Sequence, residues 1–289
     1  MGKHRQKRHD ERMTFKLQLA DGNSVAQPVL TMPAKDVHKY SRGHAVVMSG
    51  PILKTGASRL AARAALAVGA GLVTLIGDRA ALEEQAAHVT AIMLKEFDPE
   101  NQSLDHRVKA VAIGPGAGVT PETQQYVLKM LQAHVPVVLD ADAITVFSES
   151  SQLLFKHLDQ NDVMTPHHGE FSRLFPDLAD EEPVTAASAA ARRAGCVVLL
   201  KGPNTIIAAP CGKWAINRHS SPWLATAGSG DILTGLICGL LAQGVPSFDA
   251  AAIGAWLHGD IGIRAGPGLT ADAMPDYIPL VLRGCLQED

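Results

Sequence analysis

The sequence predicts an α/β fold, in which a doubly wound, mostly parallel sheet has helices on both faces and ends in an antiparallel edge hairpin. Most of its short β-branched runs are apolar throughout, which is typical of strands buried on both faces. These runs alternate with alanine-rich segments of helical pattern, as expected of an α/β domain. The last two runs flank Pro210-Cys211-Gly212, whose residue types indicate a turn between antiparallel strands.

The predicted strands share short, apolar, β-branched sequences and are, in chain order, His44–Ser49, Leu72–Ile76, Lys109–Ile113, Pro136–Leu139, Val163–Thr165, Val197–Leu200, Thr205–Ala208 and Trp214–Asn217. The predicted helices share helical patterns rich in alanine or leucine and are Ala57–Val68, Pro121–Ala133, Ser151–Leu158, Thr185–Ala194, Asp231–Ala242, Phe248–Arg264 and Asp272–Leu286.

Length and composition bound the domain organisation. The chain has 289 residues, of which 46% are hydrophobic, and this is enough for one large core. It contains no linker-like, repeated or low-complexity segment. We therefore expect a flexible N-terminal arm over residues 1–32 and a single domain over residues 33–289.

Charge and cysteine usage exclude several classes of protein. A net charge of −3 with dispersed basic residues argues against a nucleic-acid partner. Residues 1–13 are charged and lack an apolar stretch, so they predict neither a secretory signal nor a membrane anchor. The apolar run 232–248 is too broken by glycine and proline to span a membrane. The four cysteines lack metal-type spacing, which favours free thiols and a cytoplasmic protein.

Polar or glycine-rich loops follow several predicted strands. In open α/β sheets, ligands bind beyond the carboxyl ends of the strands, so these loops are expected to form one site. Five of them follow strands: Ser49–Ala57, Gly114–Gly118, Asp140–Asp142, Thr165–Glu170 and Lys201–Thr205. The turn Ala225–Asp231, which precedes a predicted helix, is the sixth.

The last of these loops, Ala-Thr-Ala-Gly-Ser-Gly-Asp at 225–231, is the most informative motif. Its glycines allow close approach of the backbone, and the helix that follows would point free N–H groups at an anion. A carboxylate there would repel a phosphate, so Asp231 is predicted either to accept a proton or to hold a magnesium ion. The alternative is an ordinary helix start.

The other loops leave alternatives open. Gly114-Pro115-Gly116-Ala117-Gly118 with Asp140 imitates a dinucleotide-binding fingerprint, but Pro115 does not suit that turn. His167 and His168 lack a third ligand for zinc, and His167 is predicted to contact a substrate instead.

The roles of three further side-chain types stay undecided. Asp140 and Asp142 are either catalytic carboxylates or helix caps. Lys201 either binds phosphate as a point charge or lies along the end of a strand. His258 lies inside a predicted helix and is expected to be a hydrogen-bonded packing residue.

Taken together, the motifs resemble one family. They are Asp36-Val37-His38-Lys39 with Gly43, Thr55-Gly56-Ala57, Gly69-Ala70-Gly71-Leu72-Val73-Thr74, Ile113-Gly114-Pro115-Gly116, Leu139-Asp140-Ala141-Asp142-Ala143, Thr165-Pro166-His167-His168-Gly169-Glu170, Leu200-Lys201-Gly202, Ala225–Asp231 and Leu257-His258-Gly259. This set is similar to that of the ADP-dependent NAD(P)H-hydrate dehydratases, which have a ribokinase-like fold.

The resemblance implies a repair reaction on a damaged cofactor. The substrate is NADH or NADPH hydrated at C6 of the nicotinamide ring, and the products besides NAD(P)H are AMP and phosphate. ADP or ATP is the co-substrate, and Mg²⁺ accompanies it. The resemblance also implies a homo-oligomer, a tetramer, and a separate epimerase chain that acts on the same hydrate.

The site residues follow from matching the motifs. Asp231 is predicted as the catalytic proton acceptor and as a substrate contact. The hydrate is predicted to contact Ala57, Gly116 and His167. The nucleotide is predicted to contact Lys201, Gly202, Pro203, Asn204, Thr205, Gly228, Ser229 and Gly230. No protein metal site is predicted.

Two other functions use the same glycine turn. A ribokinase-like kinase of a small hydroxylated vitamin precursor, such as a hydroxymethylpyrimidine, shares Gly-x-Gly-Asp but not the His167–Glu170 loop together with Gly114-Pro115-Gly116. A non-catalytic nucleotide sensor would not need Asp231.

Overall fold

The computed structural model describes residues 13–32, 38–39, 41–98 and 103–287 of the chain. In these ranges, eleven strands form one sheet in the order β1-β2-β11-β10-β9-β8-β7-β6-β3-β4-β5. Asp36 and Val37, which begin the first matched motif, lie outside the described residues.

The strands are β1 Thr14–Ala20, β2 Ser24–Thr31, β3 His44–Met48, β4 Leu72–Gly77, β5 Met93–Glu96, β6 Ala110–Ile113, β7 Val137–Leu139, β8 Val163–Met164, β9 Val197–Leu200, β10 Thr205–Ala208 and β11 Trp214–Asn217. The helices are α1 Gly56–Ala67, α2 Arg79–Ala86, α3 Pro121–Leu131, α4 Asp142–Thr145, α5 Ser151–Phe155, α6 His168–Leu174, α7 Pro183–Ala194, α8 Ser229–Ala242, α9 Ser247–Ala265 and α10 Met274–Gly284.

The centre of the sheet is parallel, as predicted. Strands β3 to β9 pair in parallel, with β3 between β4 and β6. Strands β10 and β11 form the predicted antiparallel hairpin, and β10 also pairs antiparallel with β9. All the parallel strands therefore end at the same edge, where the polar loops follow them.

Each face of the sheet carries its own core. Along β3, Ala45 and Val47 face the core beneath α1, α8, α9 and α10, while Val46 and Met48 face the other core beneath α3 to α7. This explains why the strands are apolar at every position. None of the helices in the described part of the chain combines the length and hydropathy that a membrane crossing needs.

The prediction of a flexible arm over residues 1–32 is wrong for residues 14–31. Strands β1 and β2 pair antiparallel, and β2 pairs with β11. The β1–β2 hairpin, rather than the predicted β10–β11 hairpin, therefore forms the edge of the sheet. The Leu30 N–H also donates to the Cys285 carbonyl at 2.7 Å. Phe15, Val25 and Leu30 are buried, and this apolar contact holds the hairpin in place. Residues 1–12 lie outside the described part, and the single-domain organisation stays a prediction.

Four further elements, α2, β5, α4 and α6, are absent from the sequence-based prediction. Strand β5 has the sequence Met-Leu-Lys-Glu and lies exposed at the sheet edge, so it lacks the apolar pattern of the central strands. Helices α4 and α6 contain only four and seven residues, too few for a periodic pattern to be visible.

Helices α1 and α8 pack unusually closely because α8 has glycine at the contact. A Cβ atom added to Gly235 would lie 2.1 Å from the Ala61 carbonyl oxygen, and one on Gly239 would lie 2.7 Å from the Ala65 carbonyl oxygen. Any side chain there would push the two helices apart. The contact places the start of α1 beside the start of α8.

We predict that Gly235→Ala lowers the free energy of unfolding by about 1–3 kcal/mol, because the added methyl group overlaps α1 backbone. Gly56→Ala is the matched control, since its Cβ would meet nothing within 4 Å. It should change stability by less than about 1 kcal/mol. Urea denaturation measures both, and equal effects would contradict the proposed packing constraint.

Candidate functional site

A buried carboxylate joins three separate segments at the carboxyl edge of the sheet. Asp140 follows β7 and is only 2% exposed. One of its oxygens accepts a hydrogen bond from the Lys201 ammonium at 2.7 Å, and the other accepts one from the Thr234 hydroxyl at 2.7 Å. Lys201 follows β9 and Thr234 lies on α8, so these contacts fasten α8 to two strand ends.

Lys201 is the cation of a mainly acidic cluster. Its ammonium lies 2.7 Å from Asp140 and 3.9 Å from Glu170. Burial acts to lower the pKa of Lys201, but the charges of Asp140, Glu170 and Asp231 outweigh it, and the pKa is raised above its ordinary value. Lys201 therefore stays charged, with its stem partly covered rather than extended into solvent.

The His167–Glu170 segment forms a reciprocal helix start. The His167 Nδ1 atom accepts the Glu170 N–H at 3.1 Å, and the Glu170 carboxylate accepts the His167 N–H at 2.8 Å. A neutral His167 ring therefore carries its proton on Nε2, at a side chain that is 55% exposed. The Nε2 atom also lies 3.4 Å from a Glu170 carboxylate oxygen, so Glu170 contacts both ring nitrogens while the His167 side chain stays partly exposed.

Asp231 lies in the first turn of α8, directly after the glycine turn. Gly228 precedes the helix with φ of 89°, a left-handed conformation that favours glycine. Burial raises the pKa of the Asp231 carboxyl to about 7; Asp140 adds to the rise and Lys201 opposes it. A carboxyl with this pKa changes protonation near neutrality, which suits a general base.

The glycine turn faces the ion pair. A Cβ atom added to Gly230 would lie 3.8 Å from the Lys201 ammonium and 3.9 Å from an Asp140 oxygen. The start of α8 and the charge of Lys201 are therefore next to each other, and both favour an anion. The structure brings together Gly228, Ser229, Gly230, Asp231 and Lys201 from the predicted set.

His258 supports this turn from α9. Its Nε2 atom lies 2.9 Å from both the hydroxyl and the carbonyl oxygen of Ser229. Burial lowers the pKa of His258 to about 4, so the ring is neutral at neutral pH. The sequence-based expectation of a hydrogen-bonded packing residue agrees with this geometry.

The two small residues predicted to line the hydrate pocket face each other. A Cβ atom added to Gly116 would lie 3.3 Å from the Ala57 Cβ and 2.7 Å from the Lys54 carbonyl oxygen. Gly116 has φ of 68°, so glycine is favoured there on conformational grounds as well. Asp142 accepts the Gly118 N–H at 2.8 Å and thereby holds the same loop.

The rest of the predicted nucleotide contact lies on a surface loop. Gly202, Pro203 and Asn204 are exposed, and Thr205 begins β10. This loop is continuous with Lys201 and lies at the same sheet edge. The Ala57–Gly116 pair follows β3 and β6. Strands β7 and β8 separate these strands from β9, so the pair lies across the sheet edge from Lys201.

A cavity of about 310 Å³ lies at the ends of β3, β4 and β6. None of the predicted site residues lines it; its walls include Ser49, Asp78, Ala117 and Tyr126. A second cavity, of about 460 Å³, lies at the amino ends of the strands, away from the polar loops, with Lys109 and Asn161 in its walls. Volume alone therefore does not identify the site.

Sequence reasoning misses two parts of this site. Thr234 gives no signal, because a threonine inside an apolar helix is usually a packing residue. Glu84 and Gln85 hold the 53–58 loop: Glu84 accepts the Leu53 N–H at 2.7 Å, and the Gln85 amide donates to the Thr55 carbonyl at 3.0 Å. No motif marks these residues, because the sequence pattern does not predict their helix, α2.

Within the described ranges, no group of three or more His, Cys, Asp or Glu side chains is arranged to hold a metal ion. Magnesium commonly binds through one or two carboxylates together with substrate phosphates. The donor set is therefore compatible with a magnesium ion that arrives with a nucleotide.

Comparisons with solved structures support the fold. A ribokinase-like superfamily protein from Enterococcus faecalis aligns with a TM-score of 0.78 at 26% identity, over 90% of this chain and 93% of the other. An ADP/ATP-dependent NAD(P)H-hydrate dehydratase from Bacillus subtilis, co-crystallised with ATP and Mg²⁺, aligns with a TM-score of 0.78 at 26% identity, over 89% and 95% of the two chains. The predicted ribokinase-like fold is confirmed.

Sequence comparisons give the family. A bifunctional NAD(P)H-hydrate repair enzyme from Moorella thermoacetica is 38% identical over 273 residues, which cover 87% of this chain and 51% of the relative. The chain thus spans about half the length of the curated relatives that it matches. The family described as NAD(P)H-hydrate dehydratase matches residues 45–278. This chain belongs to the NAD(P)H-hydrate dehydratase family.

Proposed function

We propose that this chain converts hydrated NADH or NADPH back to NAD(P)H at the expense of ADP. The observation that carries the proposal is the position of Asp231: a carboxylate with pKa of about 7 beside a glycine turn, a helix start and the Lys201 ammonium. Phosphoryl transfer needs an anion site and a proton acceptor side by side, and this arrangement contains both.

The proposed reaction has two stages, phosphorylation and elimination. Asp231 accepts the proton of the C6 hydroxyl while the hydroxyl oxygen attacks the terminal phosphorus of ADP, and AMP leaves. The lone pair of the ring nitrogen then expels phosphate with the C6–O bond electrons. Loss of a proton from C5 restores the dihydronicotinamide ring. Hydroxide is a poor leaving group and phosphate is a good one, so phosphorylation makes the dehydration possible.

The chain's own residues have separate roles in this proposal. Lys201 and the N–H groups at the start of α8 bind the phosphates, and the loop 202–205 covers the nucleotide. Ala57 and Gly116 allow the flat ring to lie close to backbone, and His167 donates a hydrogen bond to the hydrate through Nε2. When bound together with the nucleotide, Mg²⁺ would supply positive charge to the phosphates that Lys201 and the start of α8 hold.

The proposal extends to the setting of the enzyme. The relatives are named as bifunctional repair enzymes and this chain spans half of them, which supports an epimerase acting on the same hydrate as a partner. We further propose a homotetramer and a cytoplasmic location. The free thiols of Cys196, Cys211, Cys238 and Cys285 support a reducing compartment.

We predict that purified protein restores absorbance near the NADH band from hydrated NADH only when Mg²⁺ and ADP or ATP are both supplied. AMP should form in equal amount when ADP is used. Phosphorylation of a hydroxymethylpyrimidine without recovery of NADH would favour a vitamin-precursor kinase. Nucleotide binding without any turnover would favour a sensor.

We predict that Asp231→Asn reduces turnover by roughly a hundredfold or more, because it cannot accept a proton. In the parent, activity should fall as pH decreases through about 7, where Asp231 becomes protonated. A variant that turns over within a few-fold of the parent would show that Asp231 is only a helix-start residue.

The same variant should be more stable than the parent at alkaline pH. The folded pKa of about 7 lies above the ordinary value of 3.8, so ionising Asp231 opposes folding. This cost is absent well below the ordinary pKa, grows as pH rises and is complete above the folded pKa. Melting temperatures of the two proteins should agree at acidic pH and diverge at alkaline pH.

We predict opposite selectivity for two substitutions. Lys201→Met keeps the length of the side chain but removes its charge, so KM for ADP should rise about tenfold or more while KM for the hydrate changes little. His167→Ala should raise KM for the hydrate more than KM for ADP. Each variant is the control for the other, and parallel changes in both constants would indicate general disruption of the site.

A further inference from the structure

We propose that Asp140 is a positioning residue, which holds the Lys201 ammonium beside the Gly228–Gly230 turn and keeps it from pairing with Asp231. This inference rests on the proposed function, in which Lys201 binds phosphate and Asp231 accepts a proton. It assigns a role to a carboxylate that neither the nucleotide contacts nor the hydrate contacts explain.

Asp140 uses both of its oxygens on side chains that are distant in sequence. Lys201, 61 residues away, and Thr234, 94 residues away, each donate to it at 2.7 Å. A buried carboxylate needs such partners, because an unpaired charge in the interior is costly. The contacts also fix the distance between the ammonium and the first turns of α8.

A second buried aspartate shows what a purely architectural role looks like here. Asp162 precedes β8, at the opposite edge of the sheet, and its oxygens accept the N–H groups of Val137 and Asp159, both at 2.9 Å. Asp162 thus supports backbone. Asp140 instead holds a charged side chain within reach of the anion site.

Several acidic groups around Asp231 share the positive charge of Lys201. The charged or titratable groups around Asp231 are Asp140 after β7, Asp142 at the start of α4, Glu170 on α6, Lys201 after β9 and, through Ser229, His258 on α9. Because Lys201 is bound to Asp140 and lies near Glu170, it is not committed to Asp231. Without the Asp140 charge, the ammonium would be free to pair with Asp231, and the base would be weakened.

The decisive variant is Asp140→Asn, which keeps the size of the side chain and an acceptor for Thr234 but removes the charge. We expect kcat to fall at least tenfold. The acid limb of the pH–rate profile, where activity falls as Asp231 becomes protonated, should move to lower pH by about one unit. This is the usual scale for loss of a close like charge.

Controls separate positioning from general damage. Asp140→Glu restores the charge and should return the acid limb to its parental pH. Asp162→Asn removes an equally buried carboxylate away from the site and should leave the acid limb unchanged. Unchanged kcat and acid limb in Asp140→Asn would overturn the proposal, and so would an equal shift in Asp162→Asn.

Two further measurements keep the test decisive if Asp140→Asn does not fold or if the parent protein shows no turnover. If Asp140→Asn does not fold, Thr234→Val removes the hydrogen bond to Asp140 without changing the charge. A lower kcat with the parental acid limb supports the proposal. A parental kcat overturns it. If the parent shows no turnover, the stability gained by Asp231→Asn across pH still reports the ionisation of Asp231. In Asp140→Asn that gain should level off at lower pH, and an unchanged curve would refute the electrostatic link independently of the reaction.

Discussion

The geometry of the site depends on one buried ion pair, between Asp140 and Lys201. A carboxylate that is 2% exposed can remain charged only if strong partners replace water, and Lys201 and Thr234 are those partners. The requirement determines the positions of three segments at once: the end of β7, the end of β9 and the start of α8. The proposed anion site depends on the same ion pair, because the ammonium that pairs with Asp140 also faces the glycine turn.

Close packing of α1 on α8 contributes the second constraint. Gly235 and Gly239 allow the helices to approach until backbone touches backbone, and the starts of both helices then lie at the same edge of the sheet. Side chains of ordinary size would separate Ala57 from the glycine turn. Close helix packing thus sets the spacing of the site, and the ion pair contributes to its charge.

The central fold was predictable because each buried strand carries its signal locally, in an uninterrupted apolar run. The β1–β2 hairpin was not, since β1 buries only Phe15 and the partners of the hairpin include residues near 285, distant in the sequence. The same distinction applies to the site. The glycine turn and the His167–Glu170 segment are local motifs, whereas the role of Asp140 depends on side chains 61 and 94 residues away, and no local pattern encodes such a pairing.

The hairpin has a consequence for the order of events during synthesis. Leu30 exchanges backbone hydrogen bonds with Cys285 and Gln287, so residues made early must wait for residues made late. The central strands can collapse first, because their partners follow within a few tens of residues, but β1 and β2 cannot reach their final contacts until α10 has left the ribosome. Contacts of such large sequence separation form slowly. Until then the hairpin lacks its contacts with residues 285–287, and its apolar side chains are more exposed to misassembly in that interval.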